Sequence, residues 1–257
     1  MEQIFDLHAV RAHRDRAAGR IGRLAPVLDE LAARLLDRLD DTSRHFCAAL
    51  DFGGRGSIAP ALTARGMDVV SADFSAPMAA LAGGKPMPIE SENFGLASQE
   101  FDLVVAHLSL HWINDLPGAL IQLRRALKPE GLLLASIPVL GTLGGLRAAL
   151  LEAEEALTGG VSPRVSPFPD LRDCAGLLQR AGFALPVADV EDIEFSYANP
   201  LKLLHELRDA GETNAVLGRS GKFAPRGLFP AALSAMPVQN GRYAVTLRMA
   251  VMTGWAS

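Results

Sequence analysis

The stretch of sequence that decides the fold is Leu50-Asp51-Phe52-Gly53-Gly54-Arg55-Gly56. An apolar run over 46–50 leads into it, and a run of helix-forming residues over 57–65 follows it. A strand that ends in a glycine-rich turn and opens a helix lets the backbone approach a ligand closely, and the free N–H groups at the helix start favour a bound anion. The stretch therefore predicts a nucleotide-binding turn at the end of the first strand.

A second acidic residue, Asp73, ends the next apolar run, which covers 67–72. It lies roughly 20 residues beyond the first acid, where dinucleotide-binding folds hold the ribose hydroxyls. A charge at the end of a buried strand needs a polar partner. We therefore predict that Asp73 binds a ribose. Asp51 either positions the cofactor or caps the next helix, and positioning is favoured.

Length and composition limit the classes of protein to consider. The chain has 257 residues, of which 49% are hydrophobic, enough for one large α/β domain with a substantial core. The net charge of -4 argues against nucleic acid as the main partner. A group of N-terminal arginines favours a solvated helix face over a binding patch: Arg11, Arg14, Arg16, Arg20 and Arg23.

The remaining composition bears on the compartment. Cys47 and Cys174 have the spacing of neither a disulfide framework nor a metal site, so we expect both to be small buried residues of a reducing compartment. No apolar run reaches the roughly 20 residues of a membrane span. The first residues are too polar for a signal peptide, and the acids among the arginines argue against a transit peptide. The simplest expectation is a cytoplasmic, bacterial protein.

The spacing of apolar residues predicts an N-terminal helical segment over 1–45 and one α/β domain over 46–257. In that domain short apolar strands alternate with helices, which is typical of a parallel, doubly wound sheet. Strands are predicted at 47–52, 67–72, 86–89, 101–107 and 131–137, and helices at 57–65, 75–82 and 115–127. Asn114 or Asp115 would cap the last of these helices.

The character of the chain changes after residue 140. Helices are predicted at 142–157 and 170–181, and strands with period-two alternation at 187–197 and 242–254. Such alternation favours an antiparallel edge of the sheet. The intervening segment, about 198–240, is helical and then rich in glycine and proline, and it predicts a lid insertion.

The order of these features is informative. After the glycine turn come Asp73, then Glu90 behind the third strand, then the strand 101–105 and the turn 127–131. This order resembles that of the class I S-adenosylmethionine-dependent methyltransferases. The resemblance implies a Rossmann-like, seven-stranded sheet with an antiparallel last strand, and S-adenosylmethionine as the cofactor.

The resemblance also implies roles for individual residues. Asp73 would hold the ribose hydroxyls, Glu90 would meet the adenine amino group and Phe74 would pack on the adenine. The methionine end of the cofactor would be held around His107 and the glycine turn, which includes Asp51, Gly53, Gly54 and Gly56.

A more specific resemblance begins at the segment 106–117 and includes the segments 162–168, 180–183 and 211–214. Together they are similar to the subfamily of a mitochondrial respiratory complex I assembly factor described as an arginine hydroxylase. This similarity covers almost the whole chain. The biotin-synthesis malonyl-carrier-protein O-methyltransferases are similar more distantly, mostly through 110–112.

His111 and Trp112 lie at the junction between the fourth strand and the next helix. His111 either packs or faces the ligand, where a neutral imidazole could take a proton from a nucleophile as the catalytic base. Trp112, Arg164 and Tyr197 are the predicted substrate pocket, with Glu212 and Asn214 in the same group. The loop 162–168 is either a pocket wall, with Arg164 aimed at a carboxylate, or a proline-stiffened connector.

Three functions fit these features. The first is methyl transfer from S-adenosylmethionine to a small-molecule or protein acceptor, with no metal. The second is arginine hydroxylation on a partner such as a respiratory complex I subunit, and the third is a non-catalytic binding module, because fold does not fix function.

The glycine turn itself departs from the family pattern of acid-x-Gly-x-Gly-x-Gly, because one residue is missing between the first two glycines. Either Gly53 and Gly54 fold a tighter turn, which glycine permits, or part of the pocket is lost. Arg55 then either projects into the site and pairs with an anion or faces solvent, and solvent is favoured.

Overall fold

The computed structural model describes residues 3–256, which form one sheet with helices on both faces. Two helices, α1 (Leu7–Ala18) and α2 (Ala25–Leu36), precede the sheet. The alternating part follows as β1 (Ala48–Phe52), α3 (Ile58–Ala64), β2 (Asp68–Asp73), α4 (Ala76–Leu81), β3 (Lys85–Pro88), β4 (Phe101–His107), α5 (Leu116–Ala126) and β5 (Leu127–Pro138). The remaining elements are α6 (Gly144–Thr158), α7 (Leu171–Arg180), β6 (Phe183–Tyr197), α8 (Leu201–Asp209), α9 (Leu228–Ser234), β7 (Val238–Gln239) and β8 (Arg242–Ala256).

The strands lie in the order β3-β2-β1-β4-β5-β8-β6, and β7 pairs with β8 beside this path. The pairs from β3 through β5 are parallel, whereas β8 is antiparallel to both β5 and β6. The predicted doubly wound sheet of seven strands with an antiparallel last strand is therefore confirmed, with the two-residue β7 in addition.

Successive side chains of the central strands point to opposite faces, so each strand feeds two cores. Leu50 and Val104 pack in one core with α5 and α7, and Ala49 and Leu103 pack in the other with α2 and α3. Because both faces are covered, β1 and β4 read as near-continuous apolar runs. Polar side chains can meet a ligand only where these strands end, at their carboxyl edge.

Two strands begin four residues before their predicted starts, β6 at Phe183 rather than at 187 and β5 at Leu127 rather than at 131. Leu127 pairs with Phe101, and the register then shifts so that Leu132 pairs with Leu103. The predicted turn is thus a bulge inside the strand, where Glu130 has a φ of 62°. The α5 cap is Asp115, whose carboxylate accepts a hydrogen bond from Gly118 N at 2.9 Å.

The expectation for the cysteines is half wrong. Cys174 is buried among α7 and its neighbours, and burial raises the pKa of its thiol to about 11. Cys47 is exposed instead, because it precedes the first residue of β1 and lies outside the covered part of the sheet. Within 3–256 no helix is both long and apolar enough to cross a membrane. The segment 198–240 contains α8, α9 and β7, and its action as a lid stays a prediction.

Candidate functional site

The two predicted acids lie side by side at the carboxyl edge, because β1 and β2 are parallel neighbours. Asp51 is completely buried, and neither of its carboxylate oxygens has a hydrogen-bond partner among the described residues. Burial, and then the nearby charge of Asp73, raise the pKa of Asp51 to about 7. The charges of Arg14 and Arg55 offset this rise only in part, so the carboxyl group can still accept a hydrogen-bond donor from a ligand.

The shortened glycine turn folds tightly over this acid. Gly53 has a φ of +77°, and its N–H donates to the Ala72 carbonyl at 2.7 Å. A Cβ at Gly54 would lie 2.0 Å from Asp51 Oδ2, and a Cβ at Gly53 would lie 2.2 Å from Ser109 Cβ. The turn is tight at both glycines, and the close approach explains why glycine stands at both positions.

Asp73 has a partner that sequence reasoning missed. The guanidinium of Arg14, on α1, donates from Nε to Asp73 Oδ1 at 2.9 Å and from Nη2 to Oδ2. Arg14 Nη2 also donates to the Gly53 carbonyl at 3.0 Å. The expectation that Arg14 belongs to a solvated helix face is therefore wrong. It shares the buried stripe of α1 with Val10 and Ala17.

This ion pair nearly fills the predicted cofactor groove. The cavity left between Arg14, Asp73, Gly53 and Phe74 measures about 10 Å³. A single water molecule needs about 10–15 Å³ on this measure. In this conformation the groove is closed to anything as large as a nucleoside.

Of the other predicted cofactor residues, Phe74 lines this small cavity, whereas Glu90 and His107 lie outside its lining. Phe74 is buried against Phe94, with ring centroids 6.4 Å apart. Glu90 is exposed and forms a 3.6 Å ion pair with Arg11. His107 is buried, and its Nδ1 lies 2.7 Å from Ser136 Oγ. Burial, reinforced by the charge of Arg55, lowers the pKa of His107 to about 3, so this ring is neutral.

A second buried arginine lies on the other side of the turn. Arg55 donates to the Leu108 carbonyl at 2.7 Å and forms an ion pair with Glu212. Burial, and then the charge of Arg14, lower the pKa of Arg55 to about 10. The favoured expectation that Arg55 faces solvent is wrong, because the lid segment supplies a carboxylate that the sequence does not place beside it.

Glu212 joins this arginine to the predicted base, His111, and to the predicted pocket residue Trp112. Its Oε2 lies 2.8 Å from His111 Nε2 and accepts from Trp112 Nε1 at 2.8 Å. Burial alone would raise the pKa of Glu212, but the charges of His111 and Arg55 outweigh it and hold the pKa at about 2. When the His111 ring is neutral, the ionised carboxylate favours the tautomer with the proton on Nε2. The Nδ1 of His111 has no hydrogen-bond partner among the described residues.

A cavity of about 670 Å³ adjoins this group. Its walls are mostly apolar and include the predicted pocket residues Trp112, Arg164 and Tyr197. Arg164 is paired with Glu154, with Nε 3.0 Å from Oε2, and Tyr197 donates its hydroxyl to Glu206 at 2.7 Å. The loop 162–168 is thus a cavity wall, in which Arg164 meets a carboxylate of the protein itself. Over residues 3–256 no cluster of three or more side chains could hold a metal ion.

Comparison with known proteins agrees with the fold. Residues 50–135 match a family model described as a methyltransferase domain. The chain is 35% identical to the human mitochondrial arginine-hydroxylase NDUFAF5, over 88% of this chain and 69% of that protein. It is 34% identical to the malonyl-[acyl-carrier protein] O-methyltransferase of Methylovorus sp., over 87% of this chain and 79% of that protein.

Among solved structures, the [4+2]-cyclase SpnF superposes with a TM-score of 0.53 at 18% identity, covering 88% of this chain and 80% of that one. That likeness concerns the fold alone. The sheet order, the acids at its carboxyl edge and the two relatives above one third identity lead to one conclusion. The chain belongs to the class I S-adenosylmethionine-dependent methyltransferase superfamily.

Proposed function

We propose that the chain binds S-adenosylmethionine at the carboxyl edge of β1 and β2 and transfers its methyl group to an acceptor held in the 670 Å³ cavity. One observation carries the proposal. Trp112 lines both the small cavity beside Asp73 and the large one beside Glu212, so the two chambers share a wall. A donor on one side and an acceptor on the other would be neighbours, and the indole would have to move for the methyl group to reach the acceptor.

The residues at the edge fit the chemical groups of the cofactor. The unpartnered carboxylate of Asp51 suits the ammonium group of the methionine end, and Asp73 suits the ribose hydroxyls. The proposed site further includes Gly53, Gly54, Gly56, Phe74, Glu90 and His107. Because the guanidinium of Arg14 is bound to the Asp73 carboxylate, the ribose can bind there only if this guanidinium moves away.

When bound, S-adenosylmethionine supplies a sulfonium methyl group that an oxygen or nitrogen lone pair can take. The protein then has to position the acceptor, exclude water and remove a proton. His111 is the proposed base, because Glu212 holds the proton of a neutral ring on Nε2 and leaves the lone pair on Nδ1. A proton from the acceptor would move to Nδ1 of His111.

The walls of the large cavity favour an acceptor with little charge. Two of the arginines in its walls are already paired within the protein, Arg55 with Glu212 and Arg164 with Glu154, and the third, Arg208, is exposed. Replacing such contacts with a charged acceptor would leave a buried partner unpaired, which is costly. A small molecule with a hydroxyl or amine on an apolar body therefore suits the cavity better than a strongly charged one.

A second candidate is recognition or hydroxylation of an arginine of a partner protein, such as a complex I subunit. Two carboxylates, the buried Asp73 and the partly buried Glu212, each already hold a guanidinium of the chain itself. Carboxylates in such positions can hold a substrate arginine as well. Relatives that carry the name arginine-hydroxylase add support. A binding module without catalysis is the third possibility, since SpnF has the same fold and is named a cyclase.

A tryptophan assay tests the proposed cofactor. The chain has two tryptophans, so the variant Trp255→Phe keeps Trp112 as the single reporter. Titration with S-adenosylmethionine should change the Trp112 fluorescence with a micromolar Kd, and calorimetry should give the same constant. The control variant Trp112→Phe retains only Trp255, whose emission should not respond.

Absence of both heat and a fluorescence change would contradict cofactor binding and favour the binding module. If the cofactor binds, mass spectrometry of candidate acceptors separates the first two functions. A gain of one methyl group supports methyl transfer, and a gain of one oxygen on an arginine supports hydroxylation.

A further inference from the structure

The position of Arg14 is unusual for a residue of a terminal helix. Its side chain is 4% exposed, and its guanidinium joins the end of β2 to the glycine turn through Asp73 and the Gly53 carbonyl. Asp73 Oδ1 also accepts from Ser75 N at 2.7 Å, so both oxygens of the carboxylate are engaged. These are the oxygens that ribose hydroxyls would need.

The backbone of Arg14 is fixed by the buried face of α1. Val10, Ala17 and Ala18 lie one turn away on the same helical face and are all buried. Burial disfavours the charge of Arg14, but Asp73 more than compensates and raises the pKa of this guanidinium. Arg14 is therefore a charged side chain that α1 holds in the site.

Other contacts tie α1 and the residues before it to both sides of the site. Phe5 packs edge-on against Trp112, with centroids 5.3 Å apart, and forms a β-bridge with Val216. Arg11 donates to the Glu90 carbonyl at 2.8 Å. The segment that carries Arg14 thus also touches the loop after β3 and the region that follows Glu212.

We propose that Arg14 is an internal occupant of the nucleoside site, so that seating of α1 and binding of the cofactor exclude each other. This inference rests on the proposed cofactor site and adds its regulation. When α1 is packed in place, Arg14 forms its ion pair with Asp73 and closes the groove. In the bound state α1 is released, and its contacts with Trp112 and Val216 loosen with it.

Two measurements with S-adenosylhomocysteine test the inference. Calorimetry should give a Kd at least tenfold lower for Arg14→Gln than for the native chain. The matched control is Arg16→Gln, which removes an exposed arginine from the same helix and should bind as the native chain does. In the native chain, hydrogen–deuterium exchange over 7–18 should become faster when the ligand is added, because α1 is released.

The exchange measurement needs no variant, so it decides the matter even if Arg14→Gln fails to fold. The inference is overturned if the ligand binds the native chain while exchange over 7–18 stays unchanged or slows. It is also overturned if a folded Arg14→Gln binds more weakly, because Arg14 would then be a ligand of the cofactor. In both cases the proposed cofactor site survives. If neither the native chain nor folded Arg14→Gln binds, the proposed cofactor site itself fails, and the inference with it.

Discussion

The carboxylate of Glu212 lies 2.8 Å from Nε2 of His111, although the two residues are 101 positions apart. A carboxylate on one ring nitrogen fixes the tautomer and leaves the other nitrogen able to accept a proton. The same carboxylate neutralises Arg55 and holds the indole of Trp112. Glu212 therefore connects the glycine turn, the junction after β4 and the segment after α8.

We expect Glu212→Gln to lose about 3–5 kcal/mol of unfolding free energy, because Arg55 is left buried without its counter-charge. Urea denaturation monitored by circular dichroism measures this change. The control is Glu30→Gln, which breaks the exposed ion pair with Arg34 and should cost about 1 kcal/mol or less. Equal losses of unfolding free energy in the two variants would contradict the expectation that Glu212 compensates a buried charge.

His111→Gln should lower the rate of methyl transfer by roughly 10²–10⁴-fold, the usual contribution of a positioned base. Glutamine can still donate to Glu212 but cannot take a proton. The cofactor Kd, measured by calorimetry, should stay within a factor of two or three of the native value. His45→Gln, at an exposed position outside the site, is the control. A retained rate in His111→Gln would assign the ring to packing.

The contribution of Asp51 to the stability of the free protein should fall as the pH rises from about 4 to 7. In the folded chain the pKa of Asp51 is raised to about 7, against 3.8 for an ordinary carboxyl. At this group the folded state binds more protons than the unfolded state in that window, so its contribution decreases with pH and levels off above 7. The lowered pKa of His107 acts in the opposite direction, so the effect of Asp51 is read from the difference between the native chain and a variant.

Asp51→Asn should remove this dependence. At one pKa unit per 1.36 kcal/mol, ionised Asp51 at pH 8 should make the native chain less stable, on the order of 4 kcal/mol, than a chain with a neutral side chain at this position. Urea midpoints measured from pH 4 to 8 for both chains test this, with the exposed Asp41→Asn as the control. A parallel pH slope in Asp51→Asn would show that another group is responsible.

Gly54→Ala should destabilise the protein by about 1–3 kcal/mol, the usual range for overpacking. The added methyl carbon would lie 2.0 Å from Asp51 Oδ2, so either the carboxylate or the turn has to move. The matched control is Gly22→Ala, where nothing lies within 4 Å of the new carbon. An unchanged unfolding free energy in Gly54→Ala would mean that the turn is not tight around Asp51.

The sequence predicted the sheet well because its signals are local. The central strands are continuous apolar runs, and Asp51 and Asp73 mark where two of them end. The partners of these residues were not predictable in the same way. Arg14 lies 59 positions from Asp73 in the sequence, and Arg55 lies 157 positions from Glu212. Whether these side chains come into contact depends on how the helices dock.

One local signal for Arg14 was nevertheless present. It falls on the stripe of α1 that includes Val10 and Ala17, and a charge on an apolar stripe requires a buried counter-charge. Arg55 offered no such sign, because a glycine-rich turn lacks the periodicity that assigns helix and strand residues to a buried or an exposed face. Its burial follows from the contact with Glu212.

The pairing of Arg14 with Asp73 also has an evolutionary consequence. Arg14 takes the place of the ligand at Asp73, so Arg14 can be lost in evolution without damage to the ligand site as long as the acid at position 73 is kept. Homologues should therefore divide into those with a cation at position 14, whose sites are covered at rest, and those without one, whose sites stand open. The acid at position 73 should be shared by both groups, and position 14 should vary with the behaviour of the N-terminal helix.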